Sequence, residues 1–64
     1  MKDWDDATNF AVETALLAYD EAAKDPVTAP AAYGIACIIL KESLDLNLRA
    51  AALLLDIALQ IRTQ

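Results

Sequence analysis

The sequence predicts an all-α protein, a single domain over residues 1–64 built from three short helices that assemble as a helical bundle through homo-oligomerisation. Three observations carry this. Turn chemistry is scarce: Gly34 is the one glycine, and Pro26 and Pro30 are the two prolines. A hairpin-rich β fold would have little to build its turns from. Alanine and leucine, both strong helix formers, dominate the chain. Hydrophobic residues make up 58% of the 64, against the usual share of about 45–50%, in a chain able to bury only about 60% of its unfolded surface. Something must reinforce so small a core. Cys37 has no second cysteine to bridge and there is no histidine, so neither a disulfide nor a zinc site is expected, and no metal or cofactor is assigned. Association with another chain, a homodimer or a higher oligomer, is left.

The first helix is expected over about 5–24. Asp3 or Asp5 can accept from the free N–H groups of its first turn, and the neighbouring carboxylates suit the positive end of the helix dipole. At about 100° per residue, Ala7, Ala11, Val12, Ala15, Leu16, Ala18, Tyr19, Ala22 and Ala23 fill one half. Asp6, Asn9, Glu13, Asp20 and Lys24 fill an opposite stripe, with Phe10 and Leu17 beyond its far edge. Asp25-Pro26 then breaks the helix, since proline disfavours helix at the residue before it and cannot donate to the ladder.

The second helix is expected over about 29–43, with Thr28 as its N-cap and Pro30 tolerated in its first turn. From Ala31 to Leu40 it carries no charge, the pattern of a helix surrounded on all sides. Three short helices cannot surround one of their own, so a neighbouring chain is the expected cover. Gly34, with Ala31 one turn before it, offers a strip of small residues where another backbone could approach closely.

The third helix is expected over about 48–62, with Arg49, Asp56, Gln60 and Thr63 as a narrow polar stripe on an otherwise apolar rod. Between the last two helices, Leu44-Asp45-Leu46-Asn47-Leu48 reads as a turn. Asp45 takes a left-handed conformation, Leu46 packs back and Asn47 caps the third helix. The competing reading is a helical hairpin with one long second helix over 29–63. Ser43, Asp45 and Asn47, weak helix residues clustered in one turn, favour the break. Those five residues resemble the Leu-Gly-apolar-Ser/Asn-apolar turn of small helical regulators, MerR-like ones included, with Asp45 where glycine is usual. The resemblance implies a helix boundary and no family.

Charge is unevenly placed. Residues 1–25 hold seven of the ten acids against Lys2 and Lys24, a net of −5, while residues 26–64 are balanced at three acids and three cations. A protein of this kind repels nucleic acid and anionic lipid, which are bound through clustered Lys and Arg; neither nucleic acid nor membrane is an expected partner. The opening Met1-Lys2-Asp3-Trp4-Asp5-Asp6 lacks the basic and apolar regions of a signal peptide, and no apolar run approaches the roughly 20 residues of a spanning helix. The expected location is cytoplasmic.

No catalytic set is visible, and the chain is not expected to be an enzyme. Asp6, Glu13 and Asp20 recur every seven residues along one helix face, whereas glycosidase-like chemistry needs carboxyls facing one another across a cleft. Cys37, in the most apolar helix, is expected to be a plain core residue, and Tyr19 another. Trp4, Phe10 and Tyr33 fall at edges, Tyr33 keeping its hydroxyl wet. The residues expected to mediate self-association are Ala31, Gly34, Ile35, Ile38, Leu54, Ile57 and Ile61. Phe10, Leu17, Glu13 and Asp20 form a possible face for another protein on the acidic first helix. The functional expectation is a homo-oligomeric adaptor or regulator. The alternatives are a stoichiometric inhibitor or antidote, as carried by phages and mobile elements against a host or toxin protein, and a carrier of an apolar ligand between helices.

Overall fold

The computed structural model describes residues 4–63, and the described residues form three α-helices: α1, Asp6–Lys24; α2, Ala32–Leu44; and α3, Leu48–Arg62. A short 3-10 turn, Ala29–Ala31, leads into α2. Among the described residues there is no strand.

Each helix end has a local cause. Asp5 takes extended backbone and its carboxylate accepts from the Thr8 N–H at 2.7 Å, capping α1. That hydrogen bond holds the Asp5 carboxyl below the usual carboxylate range. Asp3, the other candidate cap, lies outside the described residues. At the far end Asp25 turns extended ahead of Pro26, and its carboxylate accepts from the Val27 N–H at 2.9 Å. Thr28 departs from expectation. Its backbone is already helical and its side chain caps nothing; instead the hydroxyl donates to the Ala22 carbonyl at 2.7 Å, serving the orphan acceptors at the end of α1. Lacking a capped start, the second helical segment opens as the 3-10 turn around Pro30 and becomes α-helical only at Ala32.

The chain breaks between α2 and α3, so the single long helix does not form. Asp45 sits in the left-handed region, φ 53° and ψ 47°. The Asp45 and Leu46 N–H groups both donate to the Lys41 carbonyl, which satisfies the end of α2. Leu46 folds back against the core. Asn47 then caps α3, its side-chain oxygen accepting from the Ala50 N–H at 2.7 Å.

α2 is the central element, packing broadly on α1 and less broadly on α3, while α1 and α3 barely meet. The resulting body is flat, 34 × 26 × 16 Å. Its core is made mostly of small side chains. Ala11, Ala15, Ala36, Ala51 and Ala58 are buried beside Val12, Leu16, Cys37, Leu40 and Leu55. Among the described residues only Leu40, Leu55 and Val12 are sizeable and fully enclosed. Tyr19 and Trp4 pack against this core while remaining partly open. The burial of Trp4 was not legible from a position ahead of the helix. The apolar half of α1 also proves wider than what it buries, for Ala7 and Ala23 stay exposed.

Two substitutions test this packing. Leu40→Ala empties a fully enclosed site and should cost about 2–5 kcal/mol, enough to abolish much of the cooperative transition of so small a domain in urea. Asp45→Gly relieves about 1–2 kcal/mol of left-handed strain against a glycine entropy cost of about 0.5–1 kcal/mol. The same titration should therefore show a net gain of up to about 1.5 kcal/mol.

Candidate functional site

The described surface is unusual for where its large apolar side chains lie. Phe10, Leu17, Val27, Tyr33, Ile35, Ile38, Leu48, Leu53, Ile57 and Ile61 are all exposed, several by more than half. Most of them fall into three stripes with distinct surroundings.

The first stripe is on α2. Tyr33 fixes its direction, because the Tyr33 hydroxyl donates to the Asp56 carboxylate of α3 at 2.6 Å. The α3 side of α2 is thus the Tyr33 side. Ile35, two residues and about 200° further round, lies on the opposite flank, together with Ala31, Gly34 and Ile38. A Cβ added at Gly34 would meet nothing within 4 Å. The small-residue strip of Ala31 and Gly34 is therefore open rather than used for contact within the chain.

The second stripe is on α3. Leu53, Ile57 and Ile61 recur at four-residue spacing, so they stand above one another on the helix surface. Asp56 marks the α2 side, and Ile61, five residues on and about 140° round, faces away from it. Leu54 is half-buried against the core and is shared between the inside and this outer stripe. The residues expected to mediate self-association thus occupy two outward stripes on different helices, not one continuous patch.

The third stripe is on α1, where Phe10 is 72% and Leu17 68% exposed. They alternate with Asp6, Glu13 and Asp20, all exposed. Beside them Glu13, Leu16, Leu17, Asp20 and Arg62 line an open cleft of about 330 Å³. Arg62 is the member that sequence reasoning missed. Its Nη1 donates to both carboxylate oxygens of Asp20 at 3.0 Å, and its guanidinium lies 5.9 Å from the centre of the Tyr19 ring. No local pattern links residues 42 positions apart. The pair is half-exposed and contributes little to stability, within about 0–1 kcal/mol.

Cys37 is buried beneath Tyr33, and burial pushes its thiol above the usual value. A protonated, enclosed thiol is a poor nucleophile. Among the described residues no group of three or more His, Cys, Asp or Glu side chains could hold a metal ion. No described helix is long and apolar enough to cross a membrane. What the surface offers is chemistry for contact: apolar stripes, one of them bordered by acids.

The Tyr33–Asp56 bond gives a pH test of the α2–α3 contact. The carboxylate that accepts the phenol proton raises the Tyr33 pKa from 10.0 to about 12. A folded pKa above the unfolded one stabilises the fold fully below pH 10 and progressively less as pH rises towards 12. Ultraviolet titration of the wild type minus Tyr33→Phe should show a tyrosinate forming near pH 12, and Asp56→Asn should return it towards 10. No family model, curated protein or solved structure matches this chain.

Proposed function

We propose that the protein is a homo-oligomeric interaction module, an adaptor or regulator, that self-associates through the outer stripes of α2 and α3. The observation that carries this reading is the inversion of side-chain size across the fold. Five of the ten residues in the buried cluster are alanines and only Leu16, Leu40 and Leu55 in it are leucines, while Leu17, Ile35, Ile38, Leu48, Leu53, Ile57 and Ile61 stand outside. Fully burying a side chain of that class is worth about 1.5–3 kcal/mol, so the chain forgoes much of its available stabilisation as a lone subunit. Exposed apolar surface on this scale marks an interaction site or an aggregation liability.

Electrostatics favour these two stripes over α1 for self-association. Residues 26–64 are charge-balanced, whereas residues 1–25 carry −5. Copies meeting through α2 and α3 bring no net like charge together. A standard interface takes about 800 Å² from each partner, just under one fifth of the 4422 Å² surface of the chain. The two outer stripes lie on different helices and form no continuous patch, so each makes its own contact on this reading. The reading suits a cytoplasmic protein. The carrier alternative has less support, because the cleft beside Leu16 and Leu17 is open and bordered by charges.

Sedimentation over a range of concentrations tests the proposal. Mass above that of a 6.9 kDa chain should appear at micromolar protein. Ile38→Glu and Ile57→Glu alter side chains already about half exposed, so they should leave helicity unchanged. Each should weaken association by at least about tenfold, the equivalent of 1.4 kcal/mol. Gly34→Ala should raise subunit stability by about 1 kcal/mol; weaker association in the same variant would place a close backbone approach at α2. A strict monomer throughout would overturn the reading.

A further inference from the structure

We infer that the outward seam of α1 docks a basic amphipathic helix from another protein, with Phe10 and Leu17 as apolar anchors and Glu13 as the cation acceptor. The seam runs Asp6, Phe10, Glu13, Leu17, Asp20, Lys24, in alternating steps of four and three residues. That alternation is the spacing of a two-helix seam, in which one helix keeps the same face towards its partner over several turns. All six residues are exposed. None of them belongs to the buried core.

Charge decides the occupant. A second copy laid parallel along this seam would oppose Asp6, Glu13 and Asp20 with the same three acids. An antiparallel copy would set those acids against Phe10 and Leu17. Either arrangement leaves carboxylates desolvated or repelling. A partner with Arg or Lys at every seventh position and apolar residues between them satisfies both features of the seam. The chain itself displays the cation half of this recognition. Arg62 places one guanidinium nitrogen 3.0 Å from both oxygens of Asp20, and both side chains line the cleft together with Glu13, Leu16 and Leu17. Among the described residues Glu13, one heptad earlier, has no cation within ion-pair distance. A partner arginine on Glu13 and an apolar side chain in the cleft beside Leu17 complete the arrangement. This docking uses a different helix face from the proposed self-association and does not depend on it.

The probe is a synthetic, fluorescently labelled peptide of about 18 residues, five helical turns. It carries arginine at each seventh position, leucine four residues after each arginine, and alanine and glutamine elsewhere. Anisotropy is read against the full chain. Saturable binding is expected, weakened at least about tenfold by Glu13→Lys and by Leu17→Ala, and weakened again by salt. A control peptide of the same composition, with arginines and leucines out of register, should bind at least about tenfold more weakly. Both altered positions are exposed, and Phe10→Ala serves as an independent third variant. The inference is overturned by absence of saturable binding, by equal binding of the control peptide, or by variants that keep the wild-type affinity. It is overturned equally if Leu17→Ala lowers the sedimenting mass of the chain alone, since the seam would then be occupied by a second copy.

Discussion

The fold rests on alanine. Ala11 and Ala15 of α1, Ala36 of α2, and Ala51 and Ala58 of α3 all belong to the one buried cluster, and α2 packs on both of the other helices. Small side chains let helix axes draw towards the short end of the usual spacing of about 8–10 Å, and close backbones gather many dispersion contacts. A core of this kind holds little bulk. Among the described residues only Val12, Leu40 and Leu55 are sizeable and fully enclosed; Leu16 is buried less completely, Ile39, Leu44, Leu46, Leu54 and Leu59 are half-buried, and the other isoleucines and leucines are exposed. A core of small side chains goes with exposed isoleucines and leucines on the outside of a flat molecule.

Packing of this kind separates what residues alone reveal from what they do not. The α2–α3 turn was legible because each of its residues carries a local instruction: Asp45 tolerates the left-handed region, Leu46 returns to the core and Asn47 caps. The end of α1 at Asp25-Pro26 was legible for the same reason. Thr28 was not. A threonine after a proline break has the composition of an N-cap, and nothing local says that its hydroxyl will reach back to Ala22. Trp4 was missed similarly, since its burial depends on how the chain enters α1 rather than on helix periodicity.

The candidate surfaces were legible in membership and not in arrangement. α2 and α3 are apolar around most of their circumference, so periodicity cannot tell which arc turns inward. That choice is made by tertiary contacts, with Tyr33 and Asp56 marking where the two helices face each other. Once it is made, Ile35 and Ile38 fall on one flank and Ile57 and Ile61 on another. On α1 the pattern is better resolved because charges interrupt it, and Phe10 and Leu17 stand where the wheel puts them, outside the buried half. The Arg62–Asp20 pair depends on the route of the chain through two turns.

The placement of charge and the placement of bulk reinforce one another. Acids concentrated on α1 keep that helix hydrated and unsuited to meeting its own copy, and the outer sides of α2 and α3, which lie in the charge-balanced residues 26–64, are the surfaces the proposal assigns to self-contact. α2 is both the central helix of the subunit and a bearer of one outer stripe. On the proposed reading, a second chain seated on α2 stabilises the element to which α1 is zipped, because any partner that binds only the folded form deepens the folded state. A helix docked on α1 acts on the same element from its other side. By linkage, each contact then strengthens the other to the extent that both require an intact α2. On the proposed reading, assembly and recognition in a domain whose core is this small are coupled through folding itself, with no need for a hinge or a second conformation.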